Sequence, residues 1–239
     1  MDLKEAKLLG DDAAGHWYYV AKGRALRALL GPDPVGTILD VGAGTGVFSR
    51  QLLDAGVAQT ATCVDTGYER NWSETQSGRP IHFVRSTKDV SADLVLMMDV
   101  LEHVADDTAL LREYTQTQPA AGRIVITVPA FQFLWSGHDV FLEHHRRYTL
   151  TEVEALVCRA GLRPLKSCYF FASLFPAVAL LRILHRLRSG FHSPAARDEL
   201  KRYPKWLNAT LIGIHGLERL SYFRHNRLAG LTIFCLAQR

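Results

Sequence analysis

Ile38-Leu39-Asp40-Val41-Gly42-Ala43-Gly44-Thr45-Gly46 places an apolar run, ending in an acid and a valine, directly before three glycines spaced one residue apart. The run reads as the end of a buried strand. Residues 47–55 read as the amphipathic helix that follows, closed by Gly56. Glycine without a Cβ lets the chain turn tightly and lets a ligand approach the backbone, so the turn reads as a ligand-binding loop at the carboxyl end of a strand.

The same alternation continues outward. Apolar runs at residues 37–41, 61–64, 81–84, 93–98, 124–128, 165–170 and 231–236 read as strands. Residues 3–9, 17–30, 106–116 and 149–160 read as helices, with Asp106 as an N-cap, Thr149 to Glu152 as a capping box, and Gly161 as a stop. The polar stretch 69–78 reads as a loop or a short helix. The expected fold is therefore α/β: a Rossmann-like, seven-stranded, mostly parallel sheet with helices on both faces, and ligands at the carboxyl ends of the strands. One stretch breaks the alternation. Residues 172–230 carry two apolar and basic helical segments before the last strand. The expected organisation is an N-terminal helical cap over 1–36, a core over 37–171 and 231–239, and a helical insertion over 172–230.

Composition limits the function classes. A chain of 239 residues with 48% hydrophobic residues can bury one good core. A formal charge of +4 and 22% charged residues lack the clustered excess of a nucleic-acid binder. Cys63, Cys158, Cys168 and Cys235 form no CxxC pair, so free thiols are expected, with no zinc ribbon or disulfide framework. Residues 1–15 lack the apolar core of a secretory signal, and the most apolar stretch, 168–187, is interrupted by Arg182, His185 and Arg186. The expected location is cytoplasmic, with a peripheral contact at the inner membrane surface left open.

The glycine loop resembles motif I of the class I S-adenosylmethionine-dependent methyltransferases. Its GxGxG spacing is one residue shorter than the GxGxxG of dinucleotide folds. The resemblance continues through Val64-Asp65, through the segment from Asp93 to Val104, and through Gly122 to Pro129, in the family's order. It implies a methyltransferase enzyme with S-adenosylmethionine as cofactor. It also implies cofactor contacts at Asp40, Gly42, Ala43, Gly44, Gly46, Asp65, Thr66 and Asp99, with the Asp65 carboxylate on the ribose hydroxyls. Many relatives carry an acid after the third strand, where this chain has Arg85-Ser86-Thr87-Lys88-Asp89; Ser86 is the expected substitute, with Thr87 and Asp89 as alternatives. His16-Trp17-Tyr18-Tyr19 resembles a bacterial subgroup whose N-terminal helix closes over the cofactor, which gives Trp17 a lid role; plain packing on the core is the alternative.

The acceptor side should follow the fourth and fifth strands. Asp99, Glu102 and His103 stand at i, i+3 and i+4, one face of a helical turn. His103 is a candidate general base, with His138 and His145 from the next loop as the others. The D-x-x-E-H spacing also resembles methyltransferases that bind a divalent metal, with His138 or His145 as a fourth ligand; this stays open and no metal is assigned. Alternatively, Glu102 and His103 only cap the next helix. Arg146 and Arg147 suit a phosphate or carboxylate, or else pin their own loop through Asp139 and Glu143; with His145 and Tyr148 they read as too polar for a core. The insertion suits an anionic membrane surface, an amphiphilic acceptor such as a polyprenyl-linked lipid, or a homodimer contact. O-methylation of a small or lipid-like acceptor is the expected reaction. An NAD(P)-dependent oxidoreductase and a non-catalytic, cofactor-binding or membrane-surface scaffold are the rivals.

Overall fold

The computed structural model describes residues 14–87, 90–116, 118–189, 196 and 201–239. The helix expected over residues 3–9, and Asp89, lie outside the described residues. The chain runs α1 (Trp17–Leu30), β1 (Val35–Val41), α2 (Val47–Asp54), β2 (Ala58–Val64), β3 (Trp72–Gln76), β4 (Arg79–Val84) and β5 (Leu94–Met98). It continues through α3 (Asp107–Thr115), β6 (Arg123–Pro129), α4 (Gly137–Phe141), α5 (Leu150–Arg159), β7 (Arg163–Phe170), α6 (Phe175–Ser189), α7 (Lys205–Ser221) and β8 (Thr232–Gln238).

These strands form one 8-stranded sheet in the order β3-β4-β2-β1-β5-β6-β8-β7. The strands from β4 to β6 are parallel; β8 lies antiparallel between β6 and β7. The expected Rossmann-like α/β fold is therefore present, with one strand more than expected. The additional strand is β3, inside the stretch expected to be a loop or short helix. It pairs antiparallel with β4 around Ser77-Gly78, and both residues have positive φ, at 51° and 77°. A two-residue turn with positive φ at both positions matches the twist of a hairpin, which explains a strand built from polar residues at a sheet edge.

Burial follows the strand period of two. In β5 every residue is buried. Leu94, Leu96 and Met98 face a core that includes Tyr19, Leu26, Phe48, Phe83 and Phe170, while Val95 and Met97 face a second core with Leu111, Ile126, Val153 and Leu156. Each fully buried side chain of this size contributes about 1.5–3 kcal/mol. The helix ends follow the expected chemistry. The Asp106 carboxylate accepts from Ala109 N, and Thr149 and Glu152 form a reciprocal capping box. Cys63, Cys168 and Cys235 are buried free thiols. Tyr148, expected to be too polar for the core, is buried; its hydroxyl donates to Asp107 Oδ2 at 2.9 Å.

The two insertion helices differ from the rest. No described side chain of α6 is buried, and α7 buries only His215 and Glu218. A group of large apolar residues is left in solvent, including Leu181, Leu187, Trp206 and Leu217 at 65–77% exposure. No helix among the described residues is long and apolar enough to cross a membrane.

Candidate active site

The carboxyl ends of β1, β2, β5 and β6 open into a cavity of about 520 Å³. Gly42, Asp65 and Thr66 line one part of it; Asp99, Glu102, His103, His138, His144 and Arg147 line another. Trp17 and Tyr18 from α1, and Val178 and Arg182 from α6, contribute further wall.

The glycine loop is built by left-handed backbone. Gly42, Gly44 and Gly46 have φ of 64°, 54° and 69°. A Cβ on Gly42 would stand 2.7 Å from Val100 Cγ2, and one on Gly46 would stand 2.9 Å from Phe83 Cε1. Only glycine fits both the backbone and the space. Asp65 ties this loop: its Oδ2 accepts from Gly44 N at 2.9 Å and its Oδ1 from Gly67 N at 2.8 Å. A carboxylate offers about four acceptor positions, so capacity remains toward the cavity.

Asp99 ends β5 in left-handed conformation, at φ 58°. That breaks the helical face expected for Asp99, Glu102 and His103: only Leu101–His103 forms a helical turn, and it is of the tighter 3₁₀ type. The Asp99 carboxylate points to Lys22, which is fully buried on α1 and donates to Oδ2; Tyr18 Oη donates to the same oxygen at 3.3 Å, and Thr127 Oγ1 donates to Oδ1 at 3.1 Å. Burial alone would raise the Asp99 carboxyl, but the Lys22 ammonium outweighs it, and the group lies below the usual carboxylate range.

Glu102 turns the other way. It is fully buried, and neither carboxylate oxygen has a hydrogen-bond partner. Burial, then the negative Asp99, push its carboxyl well above the ordinary range. Beside it the His103 and His144 rings meet edge to face with centroids 4.6 Å apart. His144 Nδ1 lies 3.0 Å from the Asp139 carboxylate, and its Nε2 is buried without a partner. Arg147 forks onto both oxygens of Asp139, at 2.7 and 2.9 Å. Burial raises the Asp139 carboxyl, but His144 and Arg147 outweigh it and hold the group far below the ordinary range. Arg146 donates to Asp107 and to the Val104 and Ala105 carbonyls. Both arginines thus pin the loop.

Of the residues singled out in the sequence, the cavity gathers Trp17, Gly42, Asp65, Thr66, Asp99, His103 and His138. The other four of the glycine-loop group do not line it. Ala43, Gly44 and Gly46 sit in the turn behind Gly42, and Asp40 is buried beneath it, accepting from Ser49 Oγ at 2.7 Å. Ser86 is exposed and outside the lining residues. His145 is also exposed and outside the cavity wall; its backbone N–H binds the Glu102 carbonyl, so the chain turns its neighbour His144 inward. Lys22, which pairs with Asp99, and His144, which lines the cavity, are the candidate site residues missed. Lys22 had a signal: it stands on the buried stripe of α1 with Tyr19, Leu26 and Leu29, where a lysine needs a partner. For His144 the sequence offered two adjacent histidines and no means of choosing between them.

A family profile described as "Methyltransferase domain" matches residues 15–167. An uncharacterized methyltransferase of Mycobacterium tuberculosis (strain H37Rv) is 32% identical over 119 residues, covering 47% of each chain. Another, from Mycolicibacterium gilvum, is 27% identical over 164 residues, covering 59% of this chain and 64% of that one. The chain thus spans about half the length of the curated relatives it matches. In fold, it is similar to the crystal structure of a SAM-dependent methyltransferase from Archaeoglobus fulgidus, with a TM-score of 0.56 and 16% identity over 99% of this chain and 98% of that one. The profile covers the glycine loop, Asp65 and the Asp99 to Tyr148 segment together. The chain belongs to the class I S-adenosylmethionine-dependent methyltransferases.

Proposed function

We propose that the protein O-methylates a hydroxyl-bearing, lipid-like acceptor with S-adenosylmethionine at the inner membrane surface. The observation that carries this reading is the cavity itself. Asp65, Thr66 and Gly42 of the glycine loop stand at one part of its wall, the histidines at another, and the apolar helix α6 also lines it.

The glycine loop fits the cofactor because Gly42 presents left-handed backbone without a side chain to the cavity, where a ligand can approach closely. Gly42, Thr66 and Asp65 would hold the amino-acid and ribose parts, and Trp17 and Tyr18 would close over them from the N-terminal cap. When bound, S-adenosylmethionine supplies an activated methyl group on a sulfonium centre. The chain must then align the acceptor and remove its proton. His103 and His138 are the candidate bases that face the cavity. Asp99, held ionised by Lys22, fixes the floor of the site between them and α1.

The wall supports the choice of acceptor class. Val178 and Arg182 of α6 face the cavity, while Leu180, Leu181, Ile183, Leu184 and Leu187 of the same helix stand in solvent. Exposed Arg186 lies among these leucines in the sequence, and exposed Lys201, Arg202 and Lys205 precede the exposed Trp206. Basic residues beside exposed leucines suit an anionic bilayer, from which an amphiphilic acceptor would enter directly.

The experiment is transfer of a radiolabelled methyl group from S-adenosylmethionine to a panel of polyprenyl phenols, glycolipids and soluble phenols, with and without anionic vesicles. Label on a lipid-like hydroxyl, increased by vesicles, is the expected result. Label only on nitrogen or carbon, or only on soluble acceptors, would contradict the O-methylation or the lipid assignment respectively.

A further inference from the structure

We infer that Glu102, His103 and His144 form a binding site for one divalent transition-metal ion on the wall of the acceptor cavity. One ligand atom from each of the three lies within 4.8 Å of the others. Small side-chain rotations would close that spacing to the roughly 3–4 Å edge of a coordination sphere with bonds of about 2.0–2.1 Å. The set differs from the one that the sequence spacing suggests, because Asp99 is committed to Lys22, Tyr18 and Thr127.

Two further observations point to a ligand. A buried carboxylate normally accepts hydrogen bonds, yet both oxygens of Glu102 are buried and unpartnered. The Nε2 of His144 is likewise buried and unpartnered, while its Nδ1 side is held by Asp139. A metal-binding imidazole characteristically gives its other nitrogen to a carboxylate, which fixes the tautomer and aims the free lone pair. Arg147 in turn fixes Asp139 by a two-pronged contact. Thus an oriented nitrogen and a carboxylate with no other partner converge beside His103.

Two imidazoles and one carboxylate suit zinc, manganese or iron(II), and three protein ligands leave positions open. All three residues line the cavity, so those positions face the acceptor side. On the methyl-transfer reading, the ion would take an acceptor oxygen as a further ligand and hold it as the anion, and His138 would remain as the base. The cation site itself stands without that reading.

The test uses the purified full chain, stripped with a chelator and titrated with Zn²⁺ or Mn²⁺ alone. One equivalent should bind. Affinity should fall at least about tenfold in Glu102→Gln and His144→Gln, and roughly 10–100-fold in Asp139→Asn. His82→Gln, an exposed histidine bonded to Ser73, should bind as the wild type does. S-adenosylmethionine affinity, measured separately, separates loss of the ion from loss of the fold. Pulsed EPR of the Cu²⁺-loaded wild type should show two coordinated imidazoles, independently of any variant. No stoichiometric ion, equal affinity in Glu102→Gln, or absence of paired imidazole coupling would overturn the site. An ion bound with no cofactor affinity would leave the site standing and contradict the methyl-transfer reading.

Discussion

The ammonium of Lys22, fully buried on the N-terminal helix, donates to the carboxylate of Asp99 at the carboxyl end of β5. One contact therefore joins α1 to the floor of the cavity. Removing one partner of such a pair leaves an uncompensated charge, which typically costs about 3–5 kcal/mol. Asp99 keeps 29% of its side chain exposed, so the lower end applies. Lys22→Met should lower stability by about 3 kcal/mol in urea unfolding. It should also weaken cofactor binding, because Trp17 and Tyr18 share the same helix. An unchanged midpoint would mean that the pair contributes nothing net.

Asp40 gives a pH signature. Burial, partly offset by the Ser49 hydroxyl, pushes its carboxyl up to about 6 from an ordinary 3.8. A raised folded-state value favours the neutral acid in the native protein. That stabilisation is complete below about pH 3.8 and is lost as pH rises through about 6. Asp40→Asn cannot ionise. Its stability relative to wild type should therefore improve between pH 4 and pH 8, by up to about 3 kcal/mol. Thermal melts across that range check this, and a pH-independent difference would contradict it.

Gly46 tests the loop without touching the ligand side. Its φ is 69°, and a Cβ there would meet the Phe83 ring at 2.9 Å, so Gly46→Ala is strained in both backbone and packing. The left-handed backbone alone costs about 1–2 kcal/mol, and crowding adds to it. Denaturant unfolding should show a loss of at least that size. Gly78→Ala has open space around its Cβ, so it should lose only the backbone part.

The insertion predicts membrane behaviour. Leu181 and Leu187 are 65% and 77% exposed on α6. The double variant Leu181→Asp, Leu187→Asp should reduce flotation with anionic vesicles at least about tenfold, since burying each leucine contributes about 1.5–3 kcal/mol. Its melting temperature should hardly move. A large loss of stability would instead mark this face as a packed interface.

These residues also show how far the sequence could be read. The glycine loop, the Asp106 N-cap, the Thr149 to Glu152 capping box and the buried strands were legible because their signals are local: backbone freedom, a side chain three residues away, a continuous apolar run. Strand β3 was not, because all its residues after Trp72, Ser73 to Gln76, are polar on a sheet edge and only the Ser77-Gly78 turn marks the hairpin. The site was legible as a region and less so in its pairings. Asp99 leaves the expected helical face through its own left-handed φ, and His144 replaces His145 because the loop's hydrogen bond to the Glu102 carbonyl decides which ring turns inward. Both outcomes depend on contacts between segments far apart in the chain.

The most direct test of the account is calorimetric titration with S-adenosylmethionine of the wild type and of Asp65→Ala. The Asp65 carboxylate ties Gly44 and Gly67 and faces the cavity. Losing charge-assisted hydrogen bonds of this kind costs about 1.5–3 kcal/mol. The account predicts one molecule bound per chain, with affinity falling roughly 10–100-fold in the variant. A folded wild type that does not bind S-adenosylmethionine, or a variant that binds it equally well, would contradict it.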